Sequence, residues 1–196
     1  TAVMSALAAM SLSQTAIAEV DDADVDNPAG TTISGTGYGV KLDAGGPYTI
    51  DNAGEINSTA GTLSYGIDIN SITVTSINNT STGVIKADAT TGGRAYGINM
   101  GATASVGTLI NAGLISGSAA STFGRGIHLT SSNIETLTNS GRILGVAGLS
   151  RGTGLFASRS TITTLTNTGT ISGSASGSSG IGLSIETASI ITLINK

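Results

Sequence analysis

The sequence predicts an all-β protein, a parallel β-helix (solenoid) with three short strands in each coil of about 28 residues. Two recurrent motifs carry this prediction. The first is an Asn that follows Ile or Leu by two positions, and its members step by 27, 32, 28, 28 and 28 residues. They are Asn52, Asn79, Asn111, Asn139, Asn167 and Asn195. Self-similarity at a fixed period indicates stacked units.

The second motif is a Gly before an apolar strand, and it runs in phase with the first. Its glycines step by 27, 31, 29, 28 and 26 residues. The members are Tyr38-Gly39-Val40, Tyr65-Gly66-Ile67, Tyr96-Gly97-Ile98, Arg125-Gly126-Ile127, Thr153-Gly154-Leu155 and Ser179-Gly180-Ile181. Because two independent motifs agree on the period, a chance match is improbable. Two additional residues before Gly83 explain part of the long step after Asn79.

Three segments of each repeat have the apolar pattern of a strand. In Ile127-His128-Leu129 apolar and polar residues alternate, as a half-buried strand requires. In Ile134-Glu135-Thr136-Leu137 the apolar residues are three positions apart, which predicts a bend within or beside the strand. The third segment follows the Asn and Gly, as in Arg142-Ile143-Leu144-Gly145. The sequence lacks a 3.6-residue period, which disfavours helical repeats.

Stacked coils bring equivalent positions into ladders about 4.8 Å apart. An amide side chain can donate to one neighbouring coil and accept from the other, so we predict that the Asn column is a structural ladder. The Gly two residues later is expected in a left-handed or crowded turn position. A hydroxyl column beside the Asn column comprises Thr49, Ser76, Thr108, Thr136, Thr164 and Thr192.

The composition fits short strands and tight turns, with 29 glycines, 39% hydrophobic residues and only 10% charged residues. Five of the twelve acids lie between Glu19 and Asp26. Residues 27–196 therefore carry eight bases and seven acids, a net charge of +1 that predicts no nucleic-acid partner. The absence of cysteine excludes disulfides and cysteine zinc sites. We expect no cofactor, no metal and no catalytic residue.

The chain divides into three parts. Residues 1–18 are apolar, and Ala16-Ile17-Ala18 matches the small-x-small pattern that signal peptidase recognises. We therefore predict that they are a signal-peptide remnant. The alternative is a short helix that caps the solenoid. Residues 19–30 are expected to be an acidic linker or N-terminal cap. Residues 31–196 are expected to form about five to six coils, and Lys196 to end the chain in mid-coil.

Outward positions of the Gly-anchored strand form two columns. The first contains Tyr38, Tyr65 and Tyr96, and the second contains Lys41, Asp68, Asn99, His128 and Phe156. These columns are a possible contact surface for carbohydrate or protein. The alternative is an aromatic ladder that stabilises the turns between coils. His128 is expected to be an exposed surface residue without a catalytic role.

The Leu-x-Asn-x-Gly-x-Ile-x-Gly repeat, the lack of cysteine and the signal-like leader resemble the passenger region of bacterial autotransporters, the type V secretion family. The resemblance covers residues 31–196. It implies a right-handed β-helix that is exported through the periplasm and stays extracellular, at the cell surface of a Gram-negative bacterium. It also implies a link to the outer membrane only through a C-terminal barrel, which we expect to be missing from this sequence.

On this basis we expect a non-enzymatic passenger stalk that adheres to a host-cell or bacterial surface protein or glycan, or self-associates. One alternative is a β-helix polysaccharide-processing enzyme, which needs clustered carboxylates. Asp68, Asp88, Glu135 and Glu186 belong to different coils. The other alternative is an ice-binding solenoid, which needs a Thr-x-Thr array in most coils. Only Thr136-Leu137-Thr138 and Thr164-Leu165-Thr166 supply that array.

Overall fold

The computed structural model describes residues 16–17 and 20–196, with side chains from residue 20 onward. This part of the chain forms only β-strands, and no helix in it is long and apolar enough to cross a membrane. The strands are β1 (Ala16–Ile17), β2 (Val20–Asp21), β3 (Val25–Asn27), β4 (Thr32–Gly35), β5 (Tyr38–Leu42), β6 (Tyr48–Asn52), β7 (Glu55–Ala60), β8 (Leu63–Asn70), β9 (Thr73–Asn79), β10 (Val84–Ala89), β11 (Arg94–Gly101), β12 (Ser105–Asn111), β13 (Leu114–Ala119), β14 (Phe123–Thr130), β15 (Asn133–Asn139), β16 (Arg142–Ala147), β17 (Arg151–Ser158), β18 (Thr161–Asn167), β19 (Thr170–Ala175), β20 (Gly180–Glu186) and β21 (Ser189–Asn195).

The strands form three seven-stranded sheets, and each coil contributes one strand to each sheet. Sheet A has the order β1-β4-β7-β10-β13-β16-β19, sheet B the order β2-β5-β8-β11-β14-β17-β20, and sheet C the order β3-β6-β9-β12-β15-β18-β21. Every pairing is parallel, as between β11 and β14. The sheets wind into a β-solenoid, which confirms the predicted three-strand coil and its period of about 28 residues.

The solenoid begins before residue 31. Strand β1 pairs with β4, β2 with β5 and β3 with β6, so residues 20–27 belong to the first coil. The segment 19–30, expected to be a linker or cap, thus contributes two strands to the sheets. The signal-peptide remnant expected over residues 1–18 lies outside the described residues, apart from Ala16–Ile17.

The interior is filled by columns of branched apolar side chains, one set from each sheet. Ile56 and Ile85 of sheet A, Ile67 of sheet B and Ile77 of sheet C are each 0% exposed. Burying one such side chain stabilises the fold by about 1.5–3 kcal/mol relative to leaving it exposed. The apolar residues three positions apart in β15, Ile134 and Leu137, both face this core. Strict inward and outward alternation is therefore broken in β15, as the spacing of its apolar residues indicated.

The second motif, the Gly before an apolar strand, is required because the backbones of neighbouring coils approach each other closely. A Cβ atom at Gly97 would lie 2.7 Å from the carbonyl oxygen of Gly126 and 2.8 Å from Cγ2 of Ile115. Equivalent contacts occur at Gly39, Gly66, Gly126 and Gly154.

The sequence assigned the last member of this motif wrongly. Gly180 pairs with Gly152, whereas Gly182 occupies the position after Gly154. The step from 154 to 182 is 28 residues, which restores the period. The pattern selected Gly180 because it too precedes an Ile, but the register is unchanged across the turn before β20, since Ala147 pairs with Ala175 and Gly152 with Gly180.

Most differences in coil length lie in the turns, and one lies within a strand, where the register between β6 and β9 shifts by one residue at Tyr48 and Thr49. From Asn79 to Asn111 the chain has four residues more than a 28-residue step. Two of them lie between Asn79 and β10, one between β10 and β11, and one between β11 and β12, when compared with the following coil. The strands keep their register, as the Asn79–Asn111 and Ile85–Ile115 pairings show.

Candidate functional site

The Asn column is a continuous hydrogen-bonded ladder inside the solenoid. Each Nδ2 donates to Oδ1 of the Asn in the next coil at 2.7 or 2.8 Å. Asn52, Asn79, Asn111 and Asn139 are 0% exposed. Nδ2 also donates to a backbone carbonyl, as from Asn111 to the carbonyl of Arg142 at 3.2 Å. The ladder therefore holds successive coils in register, and from Asn52 to Asn139 its amide groups are buried and bonded to one another.

The ladder starts one coil earlier than the sequence indicated. Asn27 is 1% exposed, and its Nδ2 donates to Oδ1 of Asn52 at 2.7 Å. Asn27 follows the buried Val25 by two positions, which is the signal that could have found it. It was missed because Gly30 comes three residues after it and Pro28 stands between them.

Of the two explanations for the Gly after each Asn, crowding is correct. A Cβ atom at Gly113 would overlap the carbonyl oxygens of Gly83 and Thr80, and one at Gly141 would overlap the carbonyl of Gly113. The left-handed positions lie elsewhere, and those occupied by residues other than Gly lie in the turns between sheets B and C. Among them are Ser71, Ser131, Arg159 and Thr187, with φ between 50° and 59°.

On the outer face of sheet B the structure forms one continuous aromatic stack. The rings of Tyr38 and Tyr65 are 5.5 Å apart and within 8° of parallel. Tyr65 and Tyr96 follow at 5.6 Å. The stack then changes column, because Arg125 occupies the tyrosine position in the next coil. Tyr96 stacks instead on the ring of His128, at 4.5 Å.

The stack ends on Phe156, whose ring centroid is 5.4 Å from that of His128. The guanidinium carbon of Arg125 lies 3.7 Å above the ring of Phe156. The two columns that the sequence separated are thus joined into one layer. Because neighbouring rings cover each other's faces, the stack is not an open platform for a ligand ring.

The structure corrects the expected exposure of these columns. Asp68, Asn99, Tyr96 and Phe156 are all 9% exposed or less, although they point away from the core. His128 is likewise not an exposed side chain, since it is only partly accessible between its two aromatic neighbours. Tyr38, Lys41 and Tyr65 keep intermediate exposure. The middle of the predicted contact surface is therefore an outer packed layer.

The second column forms a hydrogen-bond chain across three coils. Asn70 Nδ2 donates to Oδ2 of Asp68 at 2.9 Å, and Asn99 Nδ2 donates to Oδ1 of Asp68 at 2.6 Å. This leaves Oδ1 of Asn99 facing Nδ1 of His128 at 2.6 Å. Nδ1 must then carry the hydrogen, and Nε2 accepts from the Thr130 hydroxyl at 3.0 Å. Burial raises the pKa of Asp68, while the two amide donors lower it.

The Thr130, His128 and Asn99 contacts match the connectivity of a nucleophile, a base and an orienting amide. The pKa of His128 argues against that use. Burial lowers it to about 3, and the positive charges of Arg125 and Arg94 act in the same direction. A base with so low a pKa binds a proton too weakly to activate a hydroxyl near neutral pH. The arrangement is better explained as a polar ladder.

A groove of about 650 Å³ lies beside this layer, and we call it the arginine groove. Its lining includes Thr62, Tyr65, Arg94, Phe123 and Arg125. Two guanidinium groups flank the ring of Phe123, with Arg125 at 5.0 Å and Arg94 at 5.7 Å from its centroid. The arginine groove was not predicted from the sequence, because Arg94, Phe123 and Arg151 come into one column only through the pairing register of the strands.

Sheet C carries partly exposed hydroxyl groups beside the Asn column. Thr136 pairs with Thr164, and Thr138 with Thr166, so the two Thr-x-Thr motifs lie side by side. The next coil on one side has Ile110 in the outer column, and Ile110 is 40% exposed. The regular array is thus two coils wide, which does not favour the ice-binding alternative.

The acids near the N-terminus have structural partners. Oδ1 of Asp22 accepts from the backbone N–H groups of Asp43 and Ala44, and those bonds lower the pKa of Asp22. Nζ of Lys41 lies 2.6 Å from Oδ2 of Asp43. Asp21, Asp22 and Asp43 could approach one cation, but these contacts explain the cluster without a metal.

Comparison of this chain with protein families, with curated proteins and with solved structures finds no match. Its function must therefore be argued from the fold and the side chains above.

Proposed function

We propose that the chain is a passenger segment of the autotransporter type, a non-enzymatic extracellular stalk with an adhesive or self-associating face. The observation that supports this proposal is the continuity of the solenoid. Three parallel sheets run from β1 to β21, and the Asn ladder is unbroken from Asn27 to Asn195. Such a quasi-one-dimensional body suits a spacer that holds a surface away from a cell.

The side-chain inventory supports a non-enzymatic role. Of the acids that the sequence offered for a polysaccharide-processing site, Asp68 belongs to sheet B and Glu135 to sheet C. Asp68 is 5% exposed and already accepts two amide hydrogen bonds. A pair of carboxylates about 5–10 Å apart across a cleft would be needed for glycoside hydrolysis.

The surface of the solenoid also supports extended contact, because binding can be distributed along several coils. Leu149 and Val146 expose 68% and 42% of their area, and Leu63 exposes 41% next to the arginine groove. A face that mixes exposed apolar, hydroxyl and cationic side chains fits weak, repeated contacts, which gain strength when many copies are displayed together.

Adhesion of coated beads tests the proposal. Beads carrying the complete chain are mixed with Gram-negative bacteria and with cultured epithelial cells, and bound beads are counted against albumin-coated beads. Sedimentation velocity of the same protein measures self-association. We expect excess bead binding, concentration-dependent oligomers, or both. Binding no greater than that of albumin, together with a monomer at every concentration, would refute the adhesive and self-associating role.

The enzymatic alternative has its own test. The chain is incubated with bacterial and host glycans, and new reducing ends or unsaturated products are measured. We expect no turnover above a boiled control. Turnover that disappears in Asp68→Asn or Glu135→Gln, while the circular dichroism spectrum is unchanged, would replace the proposal with an enzyme.

A further inference from the structure

The arginine groove contains two arginines, Arg94 and Arg125, that make no ion pair within the described residues. Within residues 20–196 the ion pairs are made by Lys41 and Lys86. Nε of Arg125 is buried without a hydrogen-bond acceptor. A buried donor left unpaired is unfavourable, which favours binding of an acceptor at this guanidinium.

The three arginines also act on each other. Burial lowers the pKa of the Arg125 guanidinium, and the positive charges of Arg94 and Arg151 lower it too. Tyr96 and Glu186 raise that pKa. Arg94 and Arg151 are exposed and occupy the strand positions on either side of Phe123. An anion between such groups relieves their repulsion and accepts their planar, paired donors.

We propose that the arginine groove binds the sulfate or carboxylate groups of an acidic saccharide. This inference rests on the proposed adhesive function and names the ligand class of its surface. The groove, at about 650 Å³, is within the size range of small-ligand sites. Thr62 is exposed and Tyr65 is partly exposed, so their hydroxyl groups are accessible to the hydroxyls of a sugar.

The covered aromatic faces distinguish this ligand from two others. Nucleobases and neutral sugars that stack on rings need an open aromatic face. Here Tyr65 lies between Tyr38 and Tyr96, and Tyr96 is covered by His128. The guanidinium carbons of Arg125 and Arg94 lie over the ring of Phe123, at 5.0 and 5.7 Å from its centroid. Recognition at the groove is therefore ionic and by hydrogen bonds, which selects an acidic saccharide.

Calorimetric titration of the complete chain tests this inference. The probes are a heparin hexasaccharide, which carries sulfate and carboxylate, a hyaluronan hexasaccharide, which carries carboxylate alone, and neutral chitohexaose. We expect at least one acidic probe to bind, with an affinity that falls as salt rises, and chitohexaose not to bind. Equal affinity for the neutral probe, or binding of none of the three, would overturn the inference.

A matched pair of charge variants locates the site. Arg94 and Arg142 are both exposed strand residues, but Arg142 lies on sheet A, away from the groove. Arg94→Gln is expected to weaken binding of the acidic probe roughly tenfold, and Arg142→Gln is expected to weaken it less than about twofold. Equal losses would show attraction to net charge alone and would overturn the groove. Urea unfolding of both variants establishes that each is folded.

Two further measurements separate this inference from the proposed function. Vesicles of phosphatidylglycerol are added in place of the saccharide, and binding to them without binding to either acidic hexasaccharide would overturn the saccharide assignment. The bead assay is repeated with Arg94→Gln. Unchanged bead adhesion by a variant that has lost saccharide binding would overturn the groove as the adhesive site, while leaving the adhesive function in place.

Discussion

Nδ2 of Asn79 donates to Oδ1 of Asn111 at 2.7 Å, although 32 residues separate the two positions. The same contact joins Asn111 and Asn139 over 28 residues. Turns absorb the difference, so the ladder geometry is independent of the number of residues in a coil. A buried chain of amide hydrogen bonds is costly to interrupt, since each member is both donor and acceptor. The ladder therefore fixes the register of the whole solenoid.

Asn111→Ala should destabilise the protein by about 2–4 kcal/mol. The substitution removes the acceptor of Asn79 and the donor to Asn139 at a position that is 0% exposed. Urea unfolding followed by circular dichroism measures the loss. The control is Asn78→Ala, since Asn78 faces outward and makes only a 3.2 Å contact with Asp51. Its expected cost is below about 0.5 kcal/mol, and equal costs would contradict an energetic role for the ladder.

Gly97→Ala should cost about 1–3 kcal/mol, because the added methyl group would press on the Gly126 carbonyl and on Ile115. The free energy of unfolding in urea is again the measurement. Gly61→Ala is the control, since its Cβ would meet only the Thr91 hydroxyl, at 3.2 Å. If Gly97→Ala were as stable as Gly61→Ala, the close backbone approach would not be what the glycine motif serves.

The sequence predicted the inward side of the fold in detail. Four features follow from which residues recur and how far apart they stand. They are the period, the three strands of each coil, the broken alternation at Ile134 and Leu137, and the Asn ladder. These features depend on local patterns repeated in every coil. Asn27 escaped because its coil is shorter, so the repeat alone gave no reason to extend the ladder.

The outer layer of sheet B could not be predicted from alternation. A period of two separates inward from outward positions, but it does not show which outward side chains cover one another. The long side chain of Arg125 replaces a tyrosine in its column, which moves the stack from Tyr96 to His128 and covers Phe156. The arginine groove depends on this exchange between neighbouring columns, which no single repeat displays.

His128 should make stability depend on pH. Its pKa is about 3 in the folded chain and 6.5 ordinarily, so its contribution is complete above pH 6.5 and is lost as pH falls toward 3. The loss should reach roughly 2–3 kcal/mol by about pH 4.5. Tyr96 and Arg125 keep their charge state there. The carboxyl of Asp68 has a raised pKa and opposes the loss, since the folded state favours its protonated form.

Comparison with His128→Gln isolates the histidine from Asp68 and from the other acids. The free energy of unfolding is measured in urea at about pH 7, 5.5 and 4.5 for both proteins. The difference between them should shrink as pH falls, because only the parent must keep a buried imidazole neutral. A constant difference across that range would mean that His128 titrates normally and is accessible to water.

Arg125 should stabilise the outer layer through its planar guanidinium as well as its charge. Arg125→Lys removes the flat contact with Phe156, where the guanidinium carbon is 3.7 Å from the ring centroid, and should cost about 1 kcal/mol. Arg125→Ala should cost about 2 kcal/mol, because the aliphatic stem is lost too. Arg151→Ala, at an exposed position beside Phe123, serves as control and should change stability by less than about 0.5 kcal/mol. If Arg125→Lys proved as stable as the parent while Arg125→Ala did not, the stem would carry the effect and the stacking contact would not.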